Sequence, residues 1–463
     1  MRDLLHAAAD HAADHVDGTG SRPIGPQLAP SDLLRTIDVP LPQGPADARA
    51  VLDDLVRDAE PGLTDFGAAR FFGWVCGGSL PAATAADVMV TAWDQNAGGA
   101  TIAPAVAAFE EVAGKWVVDV LGLPAGTSFG FVTGCQMAHV TALAAARHAV
   151  LARAGWDVGR DGLSGAPPIR VLAGSERHIT VDRALRLLGL GTASLEPVEA
   201  DERGAMRPDA LEAALAGVDG PVVVVAQAGN VNTGAIDPLE PIVDAAHRAG
   251  AWVHVDGAFG LWAAASPARR AEIAGVERAD SWATDGHKWL NVPYDCGIAL
   301  VADADAHRAA MTATAAYISD AAGGSGVRDP LDFNPEFSRR ARGVPVYAAL
   351  RSLGRSGVVE LVDRLCDCAE RFAARLAAES GVEVLASGLN QVLVRYGDDD
   401  ATTDAVTAAV QRDGTCFMSG SVWRGRHVMR ISVSNWQTTI ADVDRSVEAV
   451  LAARDAVAGV AAG

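Results

Sequence analysis

Lysine is almost absent from this chain of 463 residues: only Lys115 and Lys288 occur, so 36 of the 38 basic residues are arginine. Arginine keeps its proton in proteins, whereas a lysine amine can be tuned into a nucleophile, so Schiff-base chemistry has two candidate residues here. Cysteine is sparse too. Cys76, Cys135, Cys296, Cys366, Cys368 and Cys416 show no CxxC pairing, which points to reduced thiols and away from a disulfide framework or a metal site. No apolar run approaches the roughly 20 residues of a membrane helix. Asp and His interrupt the opening MRDLLHAAADHAADHVDG, where a secretory signal needs an unbroken apolar core. A cytoplasmic protein with no membrane partner is expected. Positive charge is also in deficit: a net charge of -20, spread along the chain, opposes nucleic acid and reads as a solvated surface.

What is present is core material, with 49% hydrophobic and 21% charged residues, and a length that suits two or three structural units. Residues 1–65, rich in Ala, Asp and Pro and broken by SRPIGPQLAPSD, read as an N-terminal helical arm that packs on something else. Residues 66–350 alternate short β-branched runs (IRVLAG, PVVVVAQ, AWVHVDG, SWATDG, CGIALVA) with longer helical stretches, the pattern of a mostly parallel sheet covered on both faces. Residues 351–463 hold a helix through LVDRLCDCAERFAARLAAES, strands at NQVLVRYG and HVMRISVS and a closing helix, which predicts a smaller α+β unit.

In parallel α/β sheets ligands bind beyond the carboxyl ends of the strands, and four such places carry polar residues. In SWATDGHKWLNVPYDCG, Lys288 follows a strand and a glycine, whereas Lys115 sits in a helical pattern as a solvated position. In AWVHVDGAFG, Asp256 closes a strand, where a carboxylate can hold a protonated ring nitrogen or simply cap the next turn. His254 is expected to point elsewhere, because only the terminal position reaches the ligand edge. In GFVTGCQMAHVTALAAARHAV a glycine turn opens a helix whose free N–H groups suit a phosphate. In VLAGSERHITVDRAL, His178 just past a strand can stack on a planar ring or cap a helix.

Together these segments resemble the group II pyridoxal 5'-phosphate (PLP)-dependent amino-acid decarboxylases, the family of aromatic L-amino-acid and glutamate decarboxylases, from FFGWVCGGSLP to MRISVSNW. HKW is the most specific element, and the order His178, Asp256, Lys288 matches. The resemblance implies the α/β class and PLP-dependent transferase fold type I (aspartate aminotransferase-like): a large parallel or mixed sheet domain and a smaller C-terminal α+β domain. It also implies an amino-acid substrate and a homodimer with active sites at the interface, for which the N-terminal arm is a natural element. Carried over by position, Lys288 would attach the cofactor, Asp256 would hold the pyridine nitrogen and His178 would stack over the ring. Gly134, Cys135 and Gln136 would form the phosphate loop with Asp285 on the same side. Asn230, Ala258 and His287 would also line the cofactor, and Trp74 and Arg430 the substrate. No metal is implied.

The departures concern the outcome. Relatives carry a Ser/Thr-containing loop followed by Glu-Ala-Asn, where this chain has Cys135, Gln136, Met137, Ala138 and His139. Pro330 stands where the family's mobile-loop tyrosine is expected to donate a proton, within the Gly-rich SDAAGGSGVRDPLDF, and Tyr317 is upstream. Decarboxylation to an amine and CO2 is the leading expectation. The same apparatus also serves oxygen-dependent decarboxylation-deamination to an aldehyde, other lyase cleavage and transamination, and a catalytically idle binding protein is the rival of a different class. Phe71, Phe72, Trp74 and Trp423 are candidates for an aromatic pocket that would favour aromatic or bulky apolar amino acids, although aromatics at such spacings are more often core residues.

Overall fold

The computed structural model describes residues 1–312 and 328–462. Three helices, α1 (Arg2–Asp17), α2 (Pro30–Ile37) and α3 (Ala48–Ala59), open the chain. Their starts follow local chemistry. Pro30 occupies the first turn of α2, where its missing N–H has no helical partner to lose. The Asp47 carboxylate accepts the Arg49 and Ala50 N–H groups at 3.0 and 3.1 Å to begin α3. Leu34, Ile37, Val51 and Leu55 stay exposed on these helices. Strand β1 (Phe71–Phe72) and helices α4 (Pro81–Trp93) and α5 (Pro104–Val120) lead into the main sheet.

That sheet has seven strands: β2 (Ser128–Val132), β3 (Arg170–Gly174), β4 (Leu195–Val198), β5 (Val222–Gln227), β6 (Trp252–Asp256), β7 (Ser281–Asp285) and β8 (Gly297–Val301), in the order β2-β8-β7-β6-β5-β3-β4. β8 runs antiparallel to both neighbours and every other pairing is parallel. The sheet is therefore mixed, and it gains two strands, SFGFV and LEPV, that alternation did not reveal. LEPV contains a proline, which a β-sheet tolerates at an edge, and β4 is that edge. In β5, Val222 and Val224 enter one apolar cluster while Val223 and Val225 enter the one beneath α6 (Cys135–Arg153), so both faces of the strand are dry.

Strand direction places the site. Two reversals, β7 to β8 and β8 to β2, leave β2 running with β6 and β7, so the start of α6 emerges at the edge where those two strands end. A glycine is required there, because a Cβ on Gly297 would lie 2.3 to 2.6 Å from the backbone of Gly134.

A long helix, Gly343–Ala377, kinked at Gly354 (φ 61), crosses to a second sheet of β9 (Val382–Gly388), β10 (Gln391–Tyr396), β11 (Phe417–Trp423) and β12 (Arg426–Ser432). Its order is β1-β11-β12-β10-β9, so a two-residue strand from near residue 70 joins the C-terminal sheet by pairing Phe71 with Phe417. Asn291 ties the two sheets together, donating to Ser434 O at 3.0 Å and accepting from Trp436 N–H at 2.9 Å. Among the described residues no helix is long and apolar enough to cross a membrane.

Candidate active site

Lys288 lies three residues past β7, with Nζ 3.0 Å from Asp285 Oδ2. Burial opposes its ammonium, but Asp285 beside it and Asp256 farther off raise its pKa above the ordinary lysine value. Asp285 gathers further donors: the Cys135 N–H at the head of α6 donates to Oδ1 at 2.6 Å, and His287 Nε2 lies 3.4 Å from the same oxygen. His287 Nδ1 accepts the Cys296 N–H at 3.1 Å, so its ring proton sits on Nε2, facing Asp285. Lysine scarcity pointed to Lys288 over Lys115, and Lys115 is an exposed helix position paired with Glu111 at 2.8 Å.

Asp256 ends β6 and is almost fully buried. Burial pushes its carboxyl up, but the hydrogen bond from the His139 ring and the Lys288 ammonium outweigh that and hold it well below the usual carboxylate range. It is an anion at neutral pH. The Ala258 N–H donates to Oδ1 at 3.2 Å, and His139 Nε2 lies 3.5 Å from Oδ2. His178 precedes the helix Ile179–Leu187 and caps it, its Nδ1 accepting the Thr180 N–H at 3.4 Å. That bond leaves the proton on Nε2, and burial lowers the ring's pKa so that it is neutral. The charges of Lys288 and Arg430 both act on His178 and on the Cys76 thiol.

Arg430 on β12 is buried, its Nε has no hydrogen-bond partner among the described residues, and burial lowers its pKa. A buried guanidinium left this way is ready for an incoming anion. Gln136 is turned aside to Thr180 O at 3.2 Å. Asn230 spends its side chain on the turn after β5, donating to Glu176 O and Gln227 Oε1 and accepting from Asn232 and Thr233 N–H.

The aromatic pocket does not assemble. Phe71 and Phe72 are fully buried core residues, stacked on Phe417 at 5.1 Å and edge-on to Phe372 at 4.9 Å. Trp423 packs with Leu393 and Val428. Trp74 is half exposed in a separate groove of about 930 Å³ beside Arg22, Arg70, Phe417 and Arg445. Pro330 is buried in a turn whose neighbour Phe333 sits over Gly130 of β2, and Tyr317 lies outside the described residues.

Three residues without an expected role join the site. His254 does not point elsewhere: positions 252, 254 and 256 share one face of β6, and His139 bridges His254 to Asp256. The period-2 parity was present in AWVHVD, but the partner from α6 is visible only in three dimensions. Tyr294 stacks on His287 with ring centres 4.3 Å apart and donates its hydroxyl to Cys76 Sγ at 3.2 Å.

An amine nucleophile, a buried carboxylate, a flat neutral imidazole and a helix N-terminus converge at one strand edge, a donor set that fits a phosphorylated pyridine aldehyde. Rice tryptophan decarboxylase, solved with PLP and tryptamine, has the same fold, with a TM-score of 0.89 at 24% identity over 98% of this chain and 97% of that one. This is PLP-dependent fold type I. Residues 30–396 match the pyridoxal-dependent decarboxylase conserved domain. A tyrosine decarboxylase of Oryza sativa subsp. japonica is 32% identical over 83% of this chain and 74% of its own length. An aromatic-L-amino-acid decarboxylase of Bacillus atrophaeus is 28% identical over 95% and 92%. The chain belongs to the pyridoxal-dependent decarboxylase family. It is a PLP-dependent amino-acid decarboxylase.

Proposed function

We propose that Lys288 carries the cofactor, that Asp256 faces its pyridine nitrogen, and that the substrate is an aromatic or bulky apolar L-amino acid converted to an amine and CO2. The observation that carries the residue assignment is the convergence of the Lys288 amine and the ionised, buried Asp256 at the ends of adjacent strands. The bound cofactor supplies a cationic ring that accepts the electron pair of the bond broken at the alpha carbon. The protein's residues do the rest. His178 would stack on the ring, and it keeps an Nε2 proton to give. Arg430 draws the substrate carboxylate into the cleft, where Asp285 and the head of α6 flank the opposite side. The decarboxylase relatives that act on tyrosine and aromatic amino acids support the substrate class.

The exposed apolar residues of α2 and α3 support a homodimer joined through the N-terminal arm, and six free thiols suit the cytoplasm. A panel of L-amino acids, scored together for CO2, ammonia and hydrogen peroxide, tests the reaction. One CO2 per amino acid with little ammonia is expected, and turnover without CO2 overturns the reading. Pro330 at the tyrosine position favours a second reading in which O2 and water are consumed and aldehyde, CO2, ammonia and peroxide appear in equal amounts.

A further inference from the structure

Behind Asp256 runs a continuous line of buried polar groups. Trp252 Nε1 donates to Ser281 Oγ at 2.8 Å, and Ser281 Oγ lies 2.9 Å from His254 Nδ1. His254 Nε2 lies 2.9 Å from His139 Nδ1, and His139 Nε2 lies 3.5 Å from Asp256 Oδ2. All five residues are at most 4% exposed. Three elements build the line: Trp252, His254 and Asp256 share a face of β6, Ser281 stands opposite His254 in the β6/β7 register, and His139 comes from α6.

With both rings neutral, the two ends decide every proton between them. An indole N–H can only donate and an ionised carboxylate can only accept. Ser281 Oγ therefore accepts from Trp252 and turns its own proton toward His254 Nδ1. His254 then carries its proton on Nε2 and gives it to His139 Nδ1, and His139 carries its proton on Nε2, which faces Asp256 Oδ2 and Cys135 Sγ at 3.5 Å each. Burial pulls His254 down to a pKa of about 3, in keeping with a neutral ring. Adding one proton to His139 would reverse the His254 tautomer and direct two donors at Ser281 Oγ.

We propose that His139 and His254 are positioning residues for the cofactor's ring nitrogen: a one-way hydrogen-bond chain from Trp252 to Asp256 fixes the carboxylate's orientation and preserves its charge. This rests on the reading that Asp256 faces that nitrogen. With Oδ1 held by the Ala258 N–H and Oδ2 by His139, the carboxylate cannot swing, and its remaining lone pairs face the cleft. A neutral donor leaves the negative charge intact, whereas an imidazolium at His139 would cancel the charge that keeps the ring nitrogen protonated. The ionisable groups facing His139 are Cys135 on its own helix, Asp256 and His254 on β6, and His178 and Lys288 across the cleft. Cys135 Sγ, 3.5 Å from His139 Nε2 and 4.0 Å from Asp256 Oδ1, completes a trio that a metal ion would also fit, and a bound ion would displace the proton the chain delivers.

The test uses holoenzyme labelled with 15N-histidine, with the two rings assigned through His139→Leu and His254→Gln. Both rings are expected as Nε2–H tautomers, with His254 unchanged from about pH 6 to about pH 9. Titration of His254 in that window, an Nδ1–H tautomer at His254, or a stoichiometric metal retained against a chelator overturns the proposal. His139→Leu is expected to lower kcat and PLP retention about tenfold at unchanged KM, and to shift the pH dependence of the holoenzyme's visible spectrum. Ser281→Ala keeps both rings and decides the matter if His139→Leu fails to fold: it takes the donor from His254 Nδ1, so a shifted Nδ1 resonance with the Nε2–H tautomer kept is expected, and an Nδ1 resonance and visible spectrum identical to wild type count against the chain. Asp256→Asn separates the two claims. If it keeps PLP and the native spectrum, the reading of Asp256 falls. If it loses them while His139→Leu and Ser281→Ala both match wild type, only the chain falls.

Discussion

At the scale of single residues, the site depends on one amine and one imidazole whose surroundings set their protonation. Lys288→Ala should abolish turnover and the lysine-bound cofactor absorbance, and an unchanged spectrum would remove Lys288 from its assigned place. His178 caps a helix and is proposed to cover the ring site, and the two roles separate by substitution. His178→Asn retains a good capping side chain, so thermal stability should hold within about 1 kcal/mol while kcat falls by about two orders of magnitude. Equal losses in both would make the residue purely a cap. Lys288 stood out in the sequence because lysine is so rare, and Asp256 because it ends an apolar strand. Asn230 and Gln136 show the limit of positional matching, since a residue at the expected place can have its hydrogen bonds consumed by neighbouring backbone.

At the scale of elements, the head of α6 and the end of β8 meet without room for a side chain. Gly297→Ala would force a Cβ into the Gly134 backbone. A loss of about 2 kcal/mol in stability and weaker PLP binding are expected, read by thermal melts and cofactor titration. On β12, Arg430→Ala should raise KM about tenfold with a smaller change in kcat, because the guanidinium's proposed work is done on binding. A change confined to kcat would place Arg430 in the chemical step instead. Helices and buried strands were legible from period and β-branching, but β1, β2, β4, β9 and β11 were not. Two residues of β1 carry no periodicity, and the aromatic pair Phe71 and Phe72 looked like a pocket because core and pocket share the same side chains.

At the scale of the molecule, buried histidines make the fold sensitive to acid. His254 and His307 are each pulled down from 6.5 to about 3, chiefly by burial. Between those values the unfolded chain binds protons that the folded rings refuse, so the stability these rings contribute is present above pH 6.5 and is lost as pH falls toward 3. Chemical denaturation at several pH values should show that slope, and His307→Gln should reduce it. Removing residues 1–65 should convert a dimer to a monomer by sedimentation if the exposed Leu34, Ile37, Val51 and Leu55 form the contact. The sequence by itself determined the candidate lysine, the alternation of buried strands with helices, and the strand ends where polar residues gather, because these follow from local residue type and period. Only the tertiary structure decided that Trp74 faces another groove, that Phe71 and Phe72 belong to the core, and that His139 from α6 completes a line through His254 to Asp256. Which side chains from distant elements touch is set by sheet order and register, and no local pattern encodes either.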